Sequence, residues 1–240
     1  MAVDEKALTP TISVVIPVYN EENNVENAVS ALRLVLENGF SNYEILIIES
    51  GSTDRTAEIA DSIAKTDSHV RVIHQISREG LGSAIRLGFA NSLMDYILYI
   101  DGDEPFDVAR IEEIIPLLRE YEAVIGFRAG KRESFRRRLL SGVYNGLIQL
   151  LFRLNVRDVN FSMKVVSRDL IKKLKLRANG CFYDAELIAE IRRTGTEIYE
   201  IGFEYTPRTS GESTLDKPSI ILHMLWEMNI YFIRRKLLGR

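Results

Sequence analysis

The feature that most constrains this chain is an alternation, over its first half, of short β-branched runs with amphipathic helical periods. Residues 12–18 (ISVVIPV), 44–49 (EILIIE), 70–75 (VRVIHQ), 96–100 (YILYI) and 123–126 read as strands buried on both faces. Residues 21–37, 54–65, 81–92 and 108–121 read as the helices between them. In the first helix, Val25, Ala28, Val29, Leu32, Val35 and Leu36 form one i, i+3, i+4, i+7 stripe. Four strand–helix units in succession predict an α/β fold, a Rossmann-like, mostly parallel sheet with helices on both faces. Ligands of such sheets bind beyond the carboxyl ends of the strands, which directs attention to the loops there.

Those loops are polar and rich in glycine. The first strand runs into Pro17-Val18-Tyr19-Asn20-Glu21-Glu22 and the second into Glu49-Ser50-Gly51-Ser52-Thr53-Asp54. The third leads to Arg78-Glu79-Gly80-Leu81-Gly82, and the fourth to Asp101-Gly102-Asp103. Two carboxylates two residues apart at a strand end can face one small ion, and the intervening glycine lets the backbone approach closely. A hard cation, Mg²⁺ or Mn²⁺, would bridge Asp101 and Asp103 to phosphate oxygens of a ligand. Alone, such a tripeptide also describes a solvated turn; its place after the fourth strand is what favours a metal. Ser52 or Thr53 is expected to cap the helix that begins near Asp54.

Composition excludes several alternatives. A net charge of -3 argues against nucleic-acid binding by the chain as a whole. One cysteine, Cys181, cannot build a disulfide framework and is expected to be a small core hydrophobe. His69, His74 and His223 lack zinc-ligand spacing. The GxxxxGK[ST] and GxGxxG phosphate signatures are missing, against kinases and dehydrogenases. The acidic start MAVDEKALTPT has no apolar signal region, and no run reaches the ~20 apolar residues of a bilayer span. A cytoplasmic protein is expected, at most attached to the cytoplasmic face of a membrane.

After residue 126 the pattern changes. Residues 127–138 hold Arg128, Lys131, Arg132, Arg136, Arg137 and Arg138 against a single acid, Glu133. Such a segment, following the metal candidate, suits bidentate capture of a phosphate. A strongly apolar helix is expected over 139–154, a strand over 162–167, a helix around 181–193, a strand over 197–204 and a turn over 207–213. The chain closes on an amphipathic helix, 220–238, that ends in Arg234, Arg235 and Lys236. The apolar character of 139–154 fits core packing, dimerisation or, with its basic flanks, docking at a membrane surface. No repeat or linker divides the chain, so residues 1–240 are expected to form one domain. It would have a nucleotide-sugar half (1–126), an acceptor half (127–217) and a terminal helix (218–240).

With these residues assembled, the chain resembles the inverting family 2 glycosyltransferases of GT-A fold, and within them the dolichyl-phosphate mannose synthase and polyprenyl-phosphate glycosyltransferase branch. ISVVIPVYNEE resembles the opening strand and base-binding loop; ESGSTDRT resembles the DDGSTD motif; REGLGSAIRLGF resembles the NxGxGxAxRxGF helix; DGD stands where the family has its DxD metal motif. GFRAGKRESFRRRLLSGVYNGL, DVNFSMKVVSRD, FYDAELIAEIRRTG and PRTSGEST resemble later acceptor-side elements, so the likeness covers nearly the whole chain.

The resemblance implies roles position by position. Pro17, Tyr19, Asn20, Glu21, Glu49, Gly51, Ser52, Asp54, Gly80, Gly82 and Gly102 would surround a nucleotide-sugar donor of GDP-mannose or UDP-glucose type. Asp101 and Asp103 would hold Mg²⁺ or Mn²⁺ on its pyrophosphate. Arg128, Arg138 and Ser141 would hold the phosphate of a polyprenyl acceptor, and Arg208 the donor pyrophosphate. The implied reaction is inverting hexose transfer to that lipid phosphate, an anionic nucleophile that needs no strong base. Transfer to a soluble or polysaccharide hydroxyl would instead need a base, for which Asp184 and Glu186 are the candidates. A binding module without catalysis is a third reading. Four positions depart from the branch: Glu49 and Ser50 replace its aspartate pair, Pro105 its glutamine after DxD, and Thr214 its lysine after the R-x-x-G-x-S turn.

Overall fold

The computed structural model describes residues 10–102, 107–130, 146, 148–204 and 218–238. Seven strands are formed: β1 (Ile12–Val18), β2 (Tyr43–Glu49), β3 (Val70–His74), β4 (Tyr96–Ile100), β5 (Ala123–Ala129), β6 (Met163–Ser167) and β7 (Ile198–Glu204). They make one sheet in the order β3-β2-β1-β4-β6-β5-β7. β1 pairs in parallel with β2, from Ile12 opposite Tyr43 to Val18 opposite Glu49. β6 runs antiparallel to both of its neighbours, β4 and β5. β5 pairs in parallel with β7. The α/β architecture is the expected one, with the addition that β6 is inserted between the fourth and fifth strands of the sequence order.

The helices are α1 (Val25–Gly39), α2 (Thr56–Thr66), α3 (Leu81–Asn91), α4 (Arg168–Ile171), α5 (Tyr183–Arg193) and α6 (Pro218–Leu238). Because a strand alternates its side chains, β1 feeds two cores at once. Val14 and Ile16 join α1 on one face, through Val25, Val29, Leu32 and Leu36. Val15 joins α3, α5 and α6 on the other, through Ile85, Leu187, Ile188 and Met228. The six stripe residues expected in α1 are the residues it buries. On the opposite face, α3 lies so close to β1 that a Cβ on Gly88 would stand 2.3 Å from a Val15 methyl.

Several boundaries differ from expectation for identifiable reasons. α1 begins at Val25, after a turn over residues 22–24, and the amides of Glu21 and Glu22 just before it are given to Thr56 Oγ1 at the start of α2 and to Asp54 Oδ2 of the loop leading to α2. The N-cap of α2 is Arg55. It is Asp54, one residue before it, whose Oδ1 accepts the first helical amide, that of Thr56, at 3.0 Å, so the expected cap from Ser52 or Thr53 is corrected. Residues 108–121 are two 3-10 segments, Val108–Ile114 and Leu117–Arg119, since Pro116 has no N–H to continue a helical ladder. The apolar helix over 139–154 is described only from 146 onward. It ends after 152, where Arg153 and Asn155 take left-handed φ of 52° and 50°. There Ile148 and Phe152 are buried while Leu150 is 79% exposed, so core packing accounts for only part of that helix. The turn expected over 207–213 lies outside the described residues.

One buried charge of the sheet, Glu44, is satisfied at its amino edge. Glu44 accepts from Ser13 Oγ (2.6 Å), the Leu93 amide (2.7 Å) and Arg71 (2.7 Å), which ties β1, β2 and β3 to the end of α3. The opposite, carboxyl edge is left for the loops.

Candidate active site

β4 and β5 both run antiparallel to β6, so their carboxyl ends lie on the same edge of the sheet as those of β1, β2 and β3. On that edge the first three loops are knitted together. Asn20, at a left-handed φ of 54°, donates its amide to Ser52 Oγ (3.0 Å) and accepts the Thr53 amide on Oδ1 (2.9 Å). Glu22 accepts the Arg55 amide at 3.1 Å. Gly51, at φ 70°, is the turn of the β2 loop, and a Cβ there would stand 3.2 Å from Ser77 Cα. Ser50 donates to Gln75, Gln75 to Ser83, and Ser83 to Glu79, a chain that joins the β2 and β3 loops to the start of α3. The Arg78 guanidinium lies 4.1 Å above the Tyr19 ring, closing the β3 loop over the β1 loop.

Beneath these loops Glu49 is 3% exposed. It accepts the Ser52 amide at 2.5 Å and meets His74 Nδ1 at 3.1 Å, while His74 Nε2 reaches Asp61 at 3.0 Å. Burial opposes charge on Glu49, but Ser52, His74 and the Gly51 amide prevail and hold its carboxyl below the ordinary value. Burial opposes charge on His74 as well, here by lowering its value, and the bonds to and charges of Glu49 and Asp61 outweigh it to raise the imidazole above its ordinary value. The Glu49–His74–Asp61 brace was not anticipated, because its members come from β2, β3 and α2.

Asp101 follows β4 directly and is half-buried. The Tyr99 hydroxyl donates to its Oδ1 at 2.9 Å, which fixes the carboxylate's rotation. Gly102 is buried, and a Cβ there would stand 3.3 Å from a Val18 methyl, so the chain passes close to the end of β1. A hard-cation site fits this carboxylate, which stands oriented at a strand end beside glycine backbone. Among the described residues no group of three His, Cys, Asp or Glu forms a complete donor set. Asp103, Arg138, Ser141 and Arg208 lie outside the described residues.

A second buried layer lies behind Asp101. Lys164 of β6 is 1% exposed; its ammonium donates to Asp184 Oδ1 (2.7 Å) and to the Phe161 carbonyl (2.6 Å), and lies 5.7 Å from the Tyr99 ring. Burial raises Asp184 above the ordinary carboxylate range against the pull of Lys164, and the charges of Asp101 and Asp158 push the same way. Glu186 accepts the amides of Arg177 (2.8 Å) and Ala178 (2.7 Å). Arg128, near the end of β5, is ion-paired with buried Asp158 (Nε to Oδ2, 3.6 Å) and donates to the Asn160 carbonyl (3.4 Å). Pro17 lies on β1 beyond its last pairing with β4, and Gly80 and Gly82 back onto residues 178 and 179. Cys181 is partly exposed rather than fully in the core, and burial pushes its thiol up to about 12, which leaves it a poor nucleophile.

Comparison with known proteins bears on this edge. The model of the family described as "Glycosyl transferase family 2" matches residues 13–175. Glycosyltransferase AglD of Haloferax volcanii is 32% identical over 223 residues, which are 89% of this chain and 35% of that protein. The putative glycosyltransferase CsbB of Bacillus subtilis is 30% identical over 203 residues, 84% of this chain and 61% of that one. The chain thus spans about a third to three fifths of the length of these curated relatives. Glucosyl-3-phosphoglycerate synthase from Mycobacterium tuberculosis, solved with Mn²⁺, UDP and glucosyl-3-phosphoglycerate, superposes with a TM-score of 0.72 at 21% identity, over 96% of this chain and 81% of that one. At that identity the likeness carries the fold alone.

Proposed function

The chain belongs to glycosyl transferase family 2, and from that membership we propose that it moves a hexose of mannose or glucose type from a nucleoside diphosphate sugar to a polyprenyl phosphate. The observation that supports this reading best is the composition of one sheet edge. Asp101, oriented by Tyr99, follows β4, the interlocked loops of β1, β2 and β3 flank it, and Arg128 approaches the same edge from β5.

In this reading Asp101 and Asp103 hold Mg²⁺ or Mn²⁺, which supplies positive charge against the departing nucleoside diphosphate. Tyr19 and the loops of Asn20, Glu21, Gly51 and Ser52 form the wall for the base and ribose. Glu49 and Asp54 act from beneath by holding those loops, since their oxygens already accept Ser52, Thr56 and Glu22 amides. Arg128, Arg138 and Ser141 meet the acceptor phosphate, and Arg208 the donor pyrophosphate. An acceptor phosphate is anionic near neutral pH, so the residues need only align two anions and offset their repulsion, and the single displacement inverts the anomeric carbon.

Two further observations favour a lipid phosphate over a hydroxyl acceptor. Asp184 and Glu186, the candidate bases for a hydroxyl, are buried and engaged with Lys164 and with the 177–178 amides. On α6, Leu222, Trp226 and Ile233 share an outward face and are 68%, 60% and 52% exposed, ahead of Arg234, Arg235 and Lys236. No described helix is long and apolar enough to cross a membrane, and this face has the apolar and basic character of a helix that rests on a membrane surface. Incubation with GDP-mannose or UDP-glucose, Mn²⁺ and short polyprenyl phosphates is expected to yield a glycolipid with inverted configuration. Transfer to soluble sugars or phosphorylated small molecules alone would overturn the lipid acceptor.

A further inference from the structure

Residues 177–180 connect the first part of the acceptor half to α5, and four consecutive amides there are held by two carboxylates. Glu186 of α5 accepts those of Arg177 and Ala178. Glu227 of α6, 7% exposed, accepts those of Asn179 (2.7 Å) and Gly180 (2.8 Å) on one oxygen, Oε1. Its other oxygen, Oε2, is buried with no hydrogen-bond partner among the described residues, and His223 Nδ1 stands 3.8 Å away. A buried carboxylate on a terminal helix is costly unless its bonds are used for something specific.

The carbonyls of the same turn point to the other side, onto the start of α3. The Asn179 carbonyl accepts the Ser83 amide at 3.2 Å. Arg86 donates to the Ala178 carbonyl and, at 2.6 Å, to Asn179 Oδ1. The fit is tight: a Cβ on Gly80 or on Gly82 would stand 2.4 Å from the Asn179 or the Ala178 carbonyl oxygen respectively, and Gly80 holds a φ of 105°. The turn is therefore a peptide saddle, its amides on carboxylates of α5 and α6 and its carbonyls on α3. The segment it supports is the one that places Arg78 over Tyr19 and Glu79 on Ser83.

We propose that Glu227 is a positioning residue for the donor side, holding the 179–180 turn so that the 78–83 segment keeps its place over the β1 loop. This rests on the reading of that edge as the donor site. Loss of the latch lets the saddle relax, and the glycine-rich segment then samples positions in which Arg78 no longer covers Tyr19. A residue acting this way changes donor affinity more than turnover, because only the competent fraction of the enzyme binds.

The test compares Glu227→Gln, Glu227→Leu and Gly180→Ala in the full chain. UDP-glucose and GDP-mannose binding is measured with Mn²⁺ by calorimetry, steady-state kinetics are recorded, and exchange is followed at amides 83, 179 and 180. Glu227→Leu is expected to raise the donor Kd and KM roughly ten-fold while kcat at saturating donor changes less than about two-fold. Glu227→Gln keeps the acceptor oxygen and restores donor binding to within about two-fold of the native chain. Gly180→Ala acts from the turn's side, since its methyl would stand 2.8 Å from Glu227 Oε2 and 2.9 Å from His223 Nδ1, and is expected to shift KM the same way. It carries the comparison should Glu227→Leu fail to fold. Unchanged donor affinity in both disruptive variants, or Gln as damaging as Leu, overturns the proposal. If the native chain binds neither nucleotide sugar, the donor reading falls instead, and exchange still decides the latch: it requires faster exchange at Ser83 as well as at 179 and 180, and unaltered protection of Ser83 overturns it.

Discussion

Replacing Asp184 separates a structural role from a catalytic one. The Lys164 ammonium and the Asp184 carboxylate, 1% and 8% exposed at 2.7 Å, form an ion pair removed from water. Removing one partner of such a pair leaves the other charge buried, at a cost of about 3–5 kcal/mol. For a chain of 240 residues that corresponds to a fall in Tm of roughly 6–20 °C. Asp184→Leu should therefore be strongly destabilised. Asp184→Asn retains an oxygen to accept from Lys164 and is expected to lose less, about 2–3 kcal/mol. Lys164→Met combined with Asp184→Leu removes both charges, and the double variant should recover at least about 2 kcal/mol relative to the sum of the single changes. Urea denaturation and thermal melts of the native chain, Asp184→Leu, Lys164→Met and the double variant give this coupling directly. Remaining activity in Asp184→Asn, corrected for the folded fraction, should stay within about ten-fold of the native chain. A variant with native Tm and abolished turnover would refute the reasoning and restore Asp184 as a base.

Two other outcomes follow from the packing. Gly88→Ala drives a methyl to 2.3 Å from Val15 in the centre of the sheet, so despite the better helix propensity of alanine it should cost about 1–3 kcal/mol, read as a lowered urea midpoint. The His74 brace carries a pH signature: the imidazole's value is raised in the fold, so its contribution is complete below the unfolded value near 6.5 and is lost as pH rises through the folded value. Glu49 is lowered in the fold, so its contribution is present above the ordinary carboxylate value and is lost as pH falls through the folded one. Melts from pH 5 to 9 should accordingly show the Tm gap between the native chain and His74→Gln narrowing on the alkaline side; a gap independent of pH would exclude a charged His74.

The sequence carries its information unevenly, and the residues show why. α1 was legible because its six buried positions are local and periodic, and the place of Asp101 at a strand end because it follows a run of buried β-branched and aromatic residues. The two 3-10 segments could have been read from Pro116, which interrupts the 108–121 period. Lys164 gave no such signal: inside Met163–Ser167 a lysine looks like an outward polar position, and its partner is on a helix 20 residues later. The antiparallel insertion of β6 was hidden for a related reason, since a five-residue strand does not specify its neighbours. Glu227 and the amides it holds are 47 and 48 residues apart, and Glu49, His74 and Asp61 come from three elements. Long-range polar contacts of this kind are properties of the assembled edge. Tyr19, Asn20, Gly51 and Ser52, by contrast, could be assembled into one place from their positions after successive strands alone.

The central claim is that Asp101 serves a metal on which a nucleotide sugar is held. Calorimetric titration of the native chain and of Asp101→Asn with UDP-glucose and GDP-mannose, each with and without Mn²⁺, tests it most directly. One donor should bind the native chain with Mn²⁺ at least about ten-fold more tightly than without it, and Asp101→Asn should lose that gain while melting within a few degrees of the native chain. Binding that is indifferent to Mn²⁺, or fully retained in Asp101→Asn, would contradict the claim.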